Sequence, residues 1–207
     1  MAVLALLLGM AGPARAAPLR ILVLGDSLAA GYGLAEPDSF PAQLAAALAA
    51  QGVEAKVING GVSGDTSAGG LARLDWVLAD DPQLVILELG ANDGLRGLDP
   101  KATGANLEAI VARLVAEKRA VLLAGMKAPP NLGADYGAAF DGLYPAIAAR
   151  HGIALYPFFL DGVVTDPALN QDDGIHPNAA GVKVIVQGIL PYVVKAIDAL
   201  PHTAAGG

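Results

Sequence analysis

Short apolar runs alternate with segments of helical periodicity along most of this chain. That alternation restricts the available folds more than any single residue does. Residues 21–24, Ile-Leu-Val-Leu, read as a buried strand. Phe40, Leu44 and Leu48 recur every four residues, which predicts a helix over 39–50 stopped by Gly52. A short second strand is expected at 56–59 and a helix at 66–79, with Leu71, Leu74 and Leu78 on one face. Residues 84–89, Leu-Val-Ile-Leu-Glu-Leu, read as a central strand. Thr103 is the expected cap of a helix carrying Leu107, Ile110, Val111, Leu114 and Val115. A fourth strand at 120–125 precedes a helix at 135–150 that Pro145 should bend, and a fifth strand is expected at 154–157. Asn178 should cap a last helix, kinked by Pro191. The order implies an α/β protein with a five-stranded parallel sheet and helices on both faces.

Composition narrows the partners. At 207 residues the chain suits one domain. Hydrophobic residues make up 54% of it and mean hydropathy is +0.50, but much of that is alanine. Past residue 20 no run reaches the roughly 18 consecutive apolar residues of a membrane helix. The net charge is −7 with no basic run, so no nucleic-acid partner is expected. The absence of cysteine excludes disulfides, thiolate catalysis and thiolate metal sites.

The N-terminus has the pattern of a secretory signal. Residues 2–10 are apolar, and Ala14-Arg15-Ala16 gives a small-x-small cleavage site. No Lys or Arg precedes that core, so the N-terminal amine is the only positive charge before it. Residues 1–16 are read as a signal peptide and 17–207 as a single domain. The mature protein is expected to be an exported monomer, periplasmic or secreted, with no stable membrane anchor.

Three polar loops follow the first three strands. They are Gly25-Asp26-Ser27-Leu28, residues 59–66 and residues 90–94. All three fall at the carboxyl edge of the sheet, where ligands sit in open parallel folds. Ser27 is the candidate nucleophile, and a hydroxyl needs a neighbouring base to attack at neutral pH. Of three histidines, His202 lies in the tail, and His151 ends a helix before Gly152, where a cation caps carbonyls. His176 sits in a loop rich in turn residues with Asp173 three positions earlier, close enough for that carboxylate to reach Nδ1. The N–H groups of Ser27 and Gly64 and the amide of Asn92 are candidate oxyanion donors. Asp172 or Asp173 capping a turn, Gly64 as a turn glycine and Asn92 as a cap are the bland alternatives. One histidine and a few carboxylates give no metal-ligand spacing, and neither metal nor cofactor is expected. Position 29 is Ala, so the G-x-S-x-G elbow of α/β-hydrolases is absent.

Four ordered motifs resemble the SGNH, or GDSL-type, hydrolases: Gly25-Asp26-Ser27-Leu28, Ser63-Gly64-Asp65-Thr66, Gly90-Ala91-Asn92-Asp93 and Asp173-Gly174-Ile175-His176-Pro177. The family's letters fall on Ser27, Gly64, Asn92 and His176. Leu71-Ala72-Arg73-Leu74, residues 92–97 and residues 171–178 are similar to its exported thioesterase, lysophospholipase and arylesterase group. The resemblance implies a flavodoxin-like three-layer α/β/α fold and cofactor-free hydrolysis of acyl esters or thioesters. An acyltransferase using the same acyl-enzyme and a non-catalytic binding module are the alternatives.

The substrate is expected to be a small acyl ester or a lysophospholipid. Residues 94–100 and 126–136 should flank the cleft, with Leu95, Leu98, Met126, Pro129, Pro130, Leu132 and Tyr136 offering apolar surface to an acyl chain of medium length.

Overall fold

The computed structural model describes residues 18–201; the expected signal peptide and His202 lie outside the described residues. Strands β1 (Leu19–Gly25), β2 (Ala55–Gly61), β3 (Leu84–Glu88), β4 (Ala120–Ala124) and β5 (Ala154–Tyr156) form one sheet in the order β2-β1-β3-β4-β5. Every neighbouring pair is parallel, with Val23 of β1 in register with Asn59 of β2 and Ile86 of β3. All five residues of β3 are buried, as an internal strand covered on both faces requires.

The helices are α1 (Ser27–Ala30), α2 (Phe40–Ala50), α3 (Ser67–Ala72), α4 (Leu74–Val77) and α5 (Ala91–Leu95) in the first half. Then come α6 (Pro100–Ala116), α7 (Ala134–Asp141), α8 (Leu143–His151) and α9 (Ala179–Asp198). Helices α2 and α9 pack together on one face of the sheet, and α3, α6 and α8 lie together on the other. The result is the expected three-layer α/β/α sandwich of flavodoxin-like strand order. The core runs through both interfaces: Phe40, Leu44, Ile185 and Ile189 belong to it on one side, Leu107, Ile110, Leu114 and Ile147 on the other.

Local chemistry moves several boundaries. Asp99, not Thr103, caps α6: its carboxylate accepts the Lys101 N–H, and Pro100 takes the first helical position. Thr103 is buried one turn in and donates its hydroxyl to Asp93. The helix expected over 66–79 breaks at Arg73, whose backbone leaves helical geometry as its side chain turns toward Asp65 and Gly25. The helix expected over 135–150 divides at Gly142. A proline ring clashes with the carbonyl four residues before it. For Pro145 that residue is Asp141, where α7 ends. Helix α9 instead continues through Pro191, and Asn178 caps it by accepting the N–H groups of Ala180 and Gly181.

The chain leaves β1 toward β2 on one side, and leaves β3 toward β4 on the other. The reversal opens a crevice between the carboxyl ends of β1 and β3, the place where such sheets bind ligands.

Candidate active site

Ser27 is the first residue of α1, directly after β1, and Asn92 lies in α5, directly after β3. The crevice is therefore lined by these two residues. Asp26, fully buried, caps α1 by accepting the Leu28 N–H at 3.0 Å. The glycine at 25 is required by a close approach: a Cβ there would lie 2.3 Å from Glu88 Oε2.

His176 reaches the crevice from the connection between β5 and α9. Its Nε2 lies 2.9 Å from Ser27 Oγ, and its Nδ1 lies 2.6 Å from Asp173 Oδ2. Asp173 Oδ1 also accepts the N–H groups of Ile175 and His176, each at 2.9 Å. The backbone N–H of His176, then its imidazole, then the Ile175 N–H hold the Asp173 carboxyl down at about 2. Gln171 braces this turn. Its side-chain amide donates to Tyr32 O and Pro177 O, and its backbone N–H donates to His176 O at 2.7 Å. The Tyr32 ring packs on the His176 ring with centroids 4.5 Å apart.

Gly64 lies in the loop between β2 and α3 with φ +83°, a left-handed conformation natural to glycine. Among the described residues, neither the Gly64 N–H nor the Ser27 N–H has a hydrogen-bond acceptor. Asn92 is placed differently: its Nδ2 donates to Asp26 Oδ2 at 3.0 Å and to Asp65 O at 2.9 Å. Buried Asp93, next to Asn92, accepts the Ser67 N–H and hydroxyl at 2.8 and 2.6 Å. This pins the start of α3, and with it the Gly64 loop, to the Asn92 helix. Arg73 ties the same loop to β1, donating to Asp65 Oδ2 at 2.6 Å and to Gly25 O at 2.9 Å.

Two buried carboxyls lie behind the crevice. The Asp26 N–H donates to Glu88 Oε2 at 3.2 Å, and among the described residues Glu88 Oε1 has no partner. Burial pushes the Asp26 carboxyl up to about 6, against the pull of the Leu28 N–H and the Asn92 amide. Burial, then the charge of Asp26, pushes Glu88 well above the usual carboxylate range. Sequence reasoning passed over both groups, although a carboxylate inside the apolar run at 84–89 was the signal that could have found Glu88. Gln171 and Tyr32 left no signal, because their contact joins residues 139 positions apart.

The other expected residues are more scattered. Leu95 and Leu98 are 52% and 39% exposed, and Pro130 is exposed. The half-buried Tyr136 donates its hydroxyl to Leu98 O at 2.8 Å, which joins the two segments expected to flank the cleft. Met126 offers no open surface: it is 3% exposed and part of the core, two residues past β4. His151 does end a helix before a left-handed Gly152, but its Nε2 pairs with Glu108 of α6 rather than with helix carbonyls. A depression of about 550 Å³ between α6 and α8, lined by Lys101, Gly104, Leu143 and Arg150 among others, contains none of the site residues. Among the described residues no His, Asp or Glu cluster suits a metal ion.

A serine, histidine and aspartate in contact at the switch point of a parallel sheet form the arrangement a serine hydrolase uses. The profile of the GDSL-like lipase/acylhydrolase family matches residues 23–184, and the chain belongs to that family. It is 44% identical over 178 residues to the esterase TesA of Pseudomonas aeruginosa, covering 86% of this chain and 89% of that one. It is 42% identical over 159 residues to the Escherichia coli K12 thioesterase 1/protease 1/lysophospholipase L1, covering 76% and 75%. The crystal structure of AlinE4, an SGNH-hydrolase family esterase, superposes with a TM-score of 0.75 at 48% identity, covering 89% of this chain and 99% of that one.

Proposed function

We propose that Ser27 is the nucleophile of a carboxylic ester hydrolase, with His176 its base and Asp173 the group that orients the base. The N–H groups of Ser27 and Gly64 and the amide of Asn92 form the oxyanion hole. The observation that carries this reading is the unbroken line from Ser27 Oγ through His176 to Asp173, at 2.9 and 2.6 Å, beside two backbone donors that lack acceptors among the described residues.

With its carboxyl held at about 2, Asp173 is an anion at neutral pH and accepts the Nδ1–H of His176. That tautomer leaves the Nε2 lone pair facing the Ser27 hydroxyl. Nε2 takes the hydroxyl proton as Oγ attacks the acyl carbonyl. Charge develops on the carbonyl oxygen, where the Ser27 and Gly64 N–H groups stand ready and the Asn92 amide joins them. The imidazolium then gives its proton to the leaving alcohol, which leaves an acyl ester on Ser27. Water, losing a proton to Nε2, attacks that ester, and His176 returns the proton to Oγ as the carboxylic acid departs. Ser27→Ala should abolish both p-nitrophenyl butyrate turnover and covalent labelling by a fluorophosphonate. Labelling of the variant at the wild-type rate would remove Ser27 from this role.

Small-molecule carboxylic esters are the substrate class. The relatives' names, which include thioesterase and lysophospholipase, support thioesters and lysophospholipids as further substrates. Leu95, Leu98, Pro130 and Tyr136 are assigned to an acyl-chain surface, supported by the exposure of the leucines and by the bond from Tyr136 to Leu98. A chain-length series of p-nitrophenyl esters should peak at medium-chain acyl groups, and a peak at acetate would refute that surface. The signal-like pattern at 1–16 supports export.

A further inference from the structure

An amide nitrogen carries two hydrogens, and both of those on Asn92 are spent inside the protein, on Asp26 Oδ2 and Asp65 O. To stabilise an oxyanion, Asn92 must exchange one of these acceptors. The two are unequal. The bond to Asp26 is charge-assisted, and such bonds are roughly twice as strong as neutral ones. Asp26 is 0% exposed, so no solvent stands ready to replace the amide. Asp65 offers a neutral carbonyl on a half-buried loop residue, next to the exposed Gly64, where water can take over.

Asp26 also has the reach to set the geometry. Its other oxygen caps α1, whose first residue is Ser27, so a single carboxylate orients both the nucleophile's turn and the Asn92 amide. Behind it, burial and then the Asp26 charge push the Glu88 carboxyl well above the usual carboxylate range, which favours the anion on Asp26. The positive charge that His176 gains on taking the serine proton favours the same distribution.

We propose that Asp26 is a positioning residue of the oxyanion hole: its buried carboxylate keeps hold of Asn92 while the amide exchanges the Asp65 carbonyl for the developing oxyanion. The proposal rests on the reading of Asn92 as an oxyanion donor.

The test is a double-mutant cycle on p-nitrophenyl butyrate. Asp26→Ser keeps a capping oxygen for the Leu28 N–H but is too short to reach Asn92. Asp26→Asn keeps the size and sets a donor against a donor. Each should lower kcat about 10- to 100-fold with KM nearly unchanged. Adding Asn92→Ala to Asp26→Ser should cost nothing beyond Asn92→Ala alone, within about two-fold. Losses that multiply, or a wild-type kcat in Asp26→Ser, would overturn the proposal while leaving the hydrolase reading intact. An unchanged kcat in Asn92→Ala would instead remove the oxyanion role itself, and this proposal with it.

A second measurement needs no Asp26 variant. In wild-type protein phosphonylated on Ser27 by a fluorophosphonate, one Asn92 side-chain N–H resonance should move and the other stay. The pair is assigned by its absence in Asn92→Ala. Movement of both by similar amounts would show that Asp26 lets go.

Discussion

Asp173 holds His176 and Asp26 caps the turn of Ser27, and the protein treats the two carboxyls in opposite ways. Asp173 rides a turn with 38% of its side chain exposed, yet its carboxyl is held at about 2. Asp26 is wholly buried and pushed up to about 6. The difference lies in the ratio of donors to lost water. Asp173 keeps much of its hydration and gains two backbone N–H groups and an imidazole. Asp26 gives up its hydration for a backbone N–H and a side-chain amide, with a second carboxyl behind it. For Asp26 the lost hydration outweighs its donors, and for Asp173 the donors outweigh the little hydration it loses. In the roles proposed above, the well-supplied anion steadies the base, and the poorly supplied one steadies the oxyanion donor.

The contrast breaks hardest at Asp173. Asp173→Asn should lower kcat by about 10³–10⁴, because the amide cannot hold His176 in the required tautomer. A loss below about tenfold would mean that packing against Tyr32 and the Gln171 brace orient the ring by themselves. A smaller effect is expected at the back of the crevice. The folded state holds the Glu88 proton more tightly than the unfolded chain does. Wild-type stability should therefore fall as pH rises above the unfolded value near 4.5. Glu88→Gln does not titrate, so its melting temperature relative to wild type should climb from about pH 5 to about pH 9. A difference that does not change with pH would place the Glu88 proton elsewhere. The smallest effect is on acid stability. With its folded pKa depressed, Asp173 contributes stability above 3.8 that is lost as pH falls through about 2. Solvent screens so exposed a group, so urea melts of wild type and Asp173→Asn should converge only slightly on acidification. Equal separations at about pH 5 and about pH 2.5 would show that the charge adds no stability.

Much of this was legible in the sequence, for reasons that differ by region. The sheet could be read because strands buried on both faces are short apolar runs, and β1 past Arg20, β3 before Glu88 and β4 all are. Ser27, Gly64, Asn92, Asp173 and His176 stood out because each falls in a polar stretch rich in turn residues, outside the apolar runs. The breaks at Arg73 and Gly142 were hidden, since both interrupt a continuous apolar periodicity. Met126 was misjudged because the last turn of core packing after β4 follows from tertiary register, which periodicity does not carry. The Asp26–Glu88 pair joins two strands that are neighbours only because β3 pairs with β1. A single carboxylate in an apolar run does not say which turn it faces.

The site is assembled from parts that differ in how they are anchored. Ser27 and Asn92 stand at the ends of adjacent internal strands, so they stay in place while the sheet lasts. His176 instead arrives on a connection of some twenty residues after the edge strand β5: Phe159 and Val163 bury its first half in the core, while the part around His176 is braced within itself by Asn178 and the Asn170–Pro177 bridge and tied to Tyr32 by Gln171. Such a segment opens at a lower free energy than the strands beneath it. Amide hydrogens around 171–178 should exchange with solvent long before those of β1 and β3. On warming, activity should then be lost as His176 drifts from Ser27, while the far-ultraviolet signature of the sheet is still whole. The temperature at which this protein stops working should then be set by the tether of one loop rather than by the melting of its core.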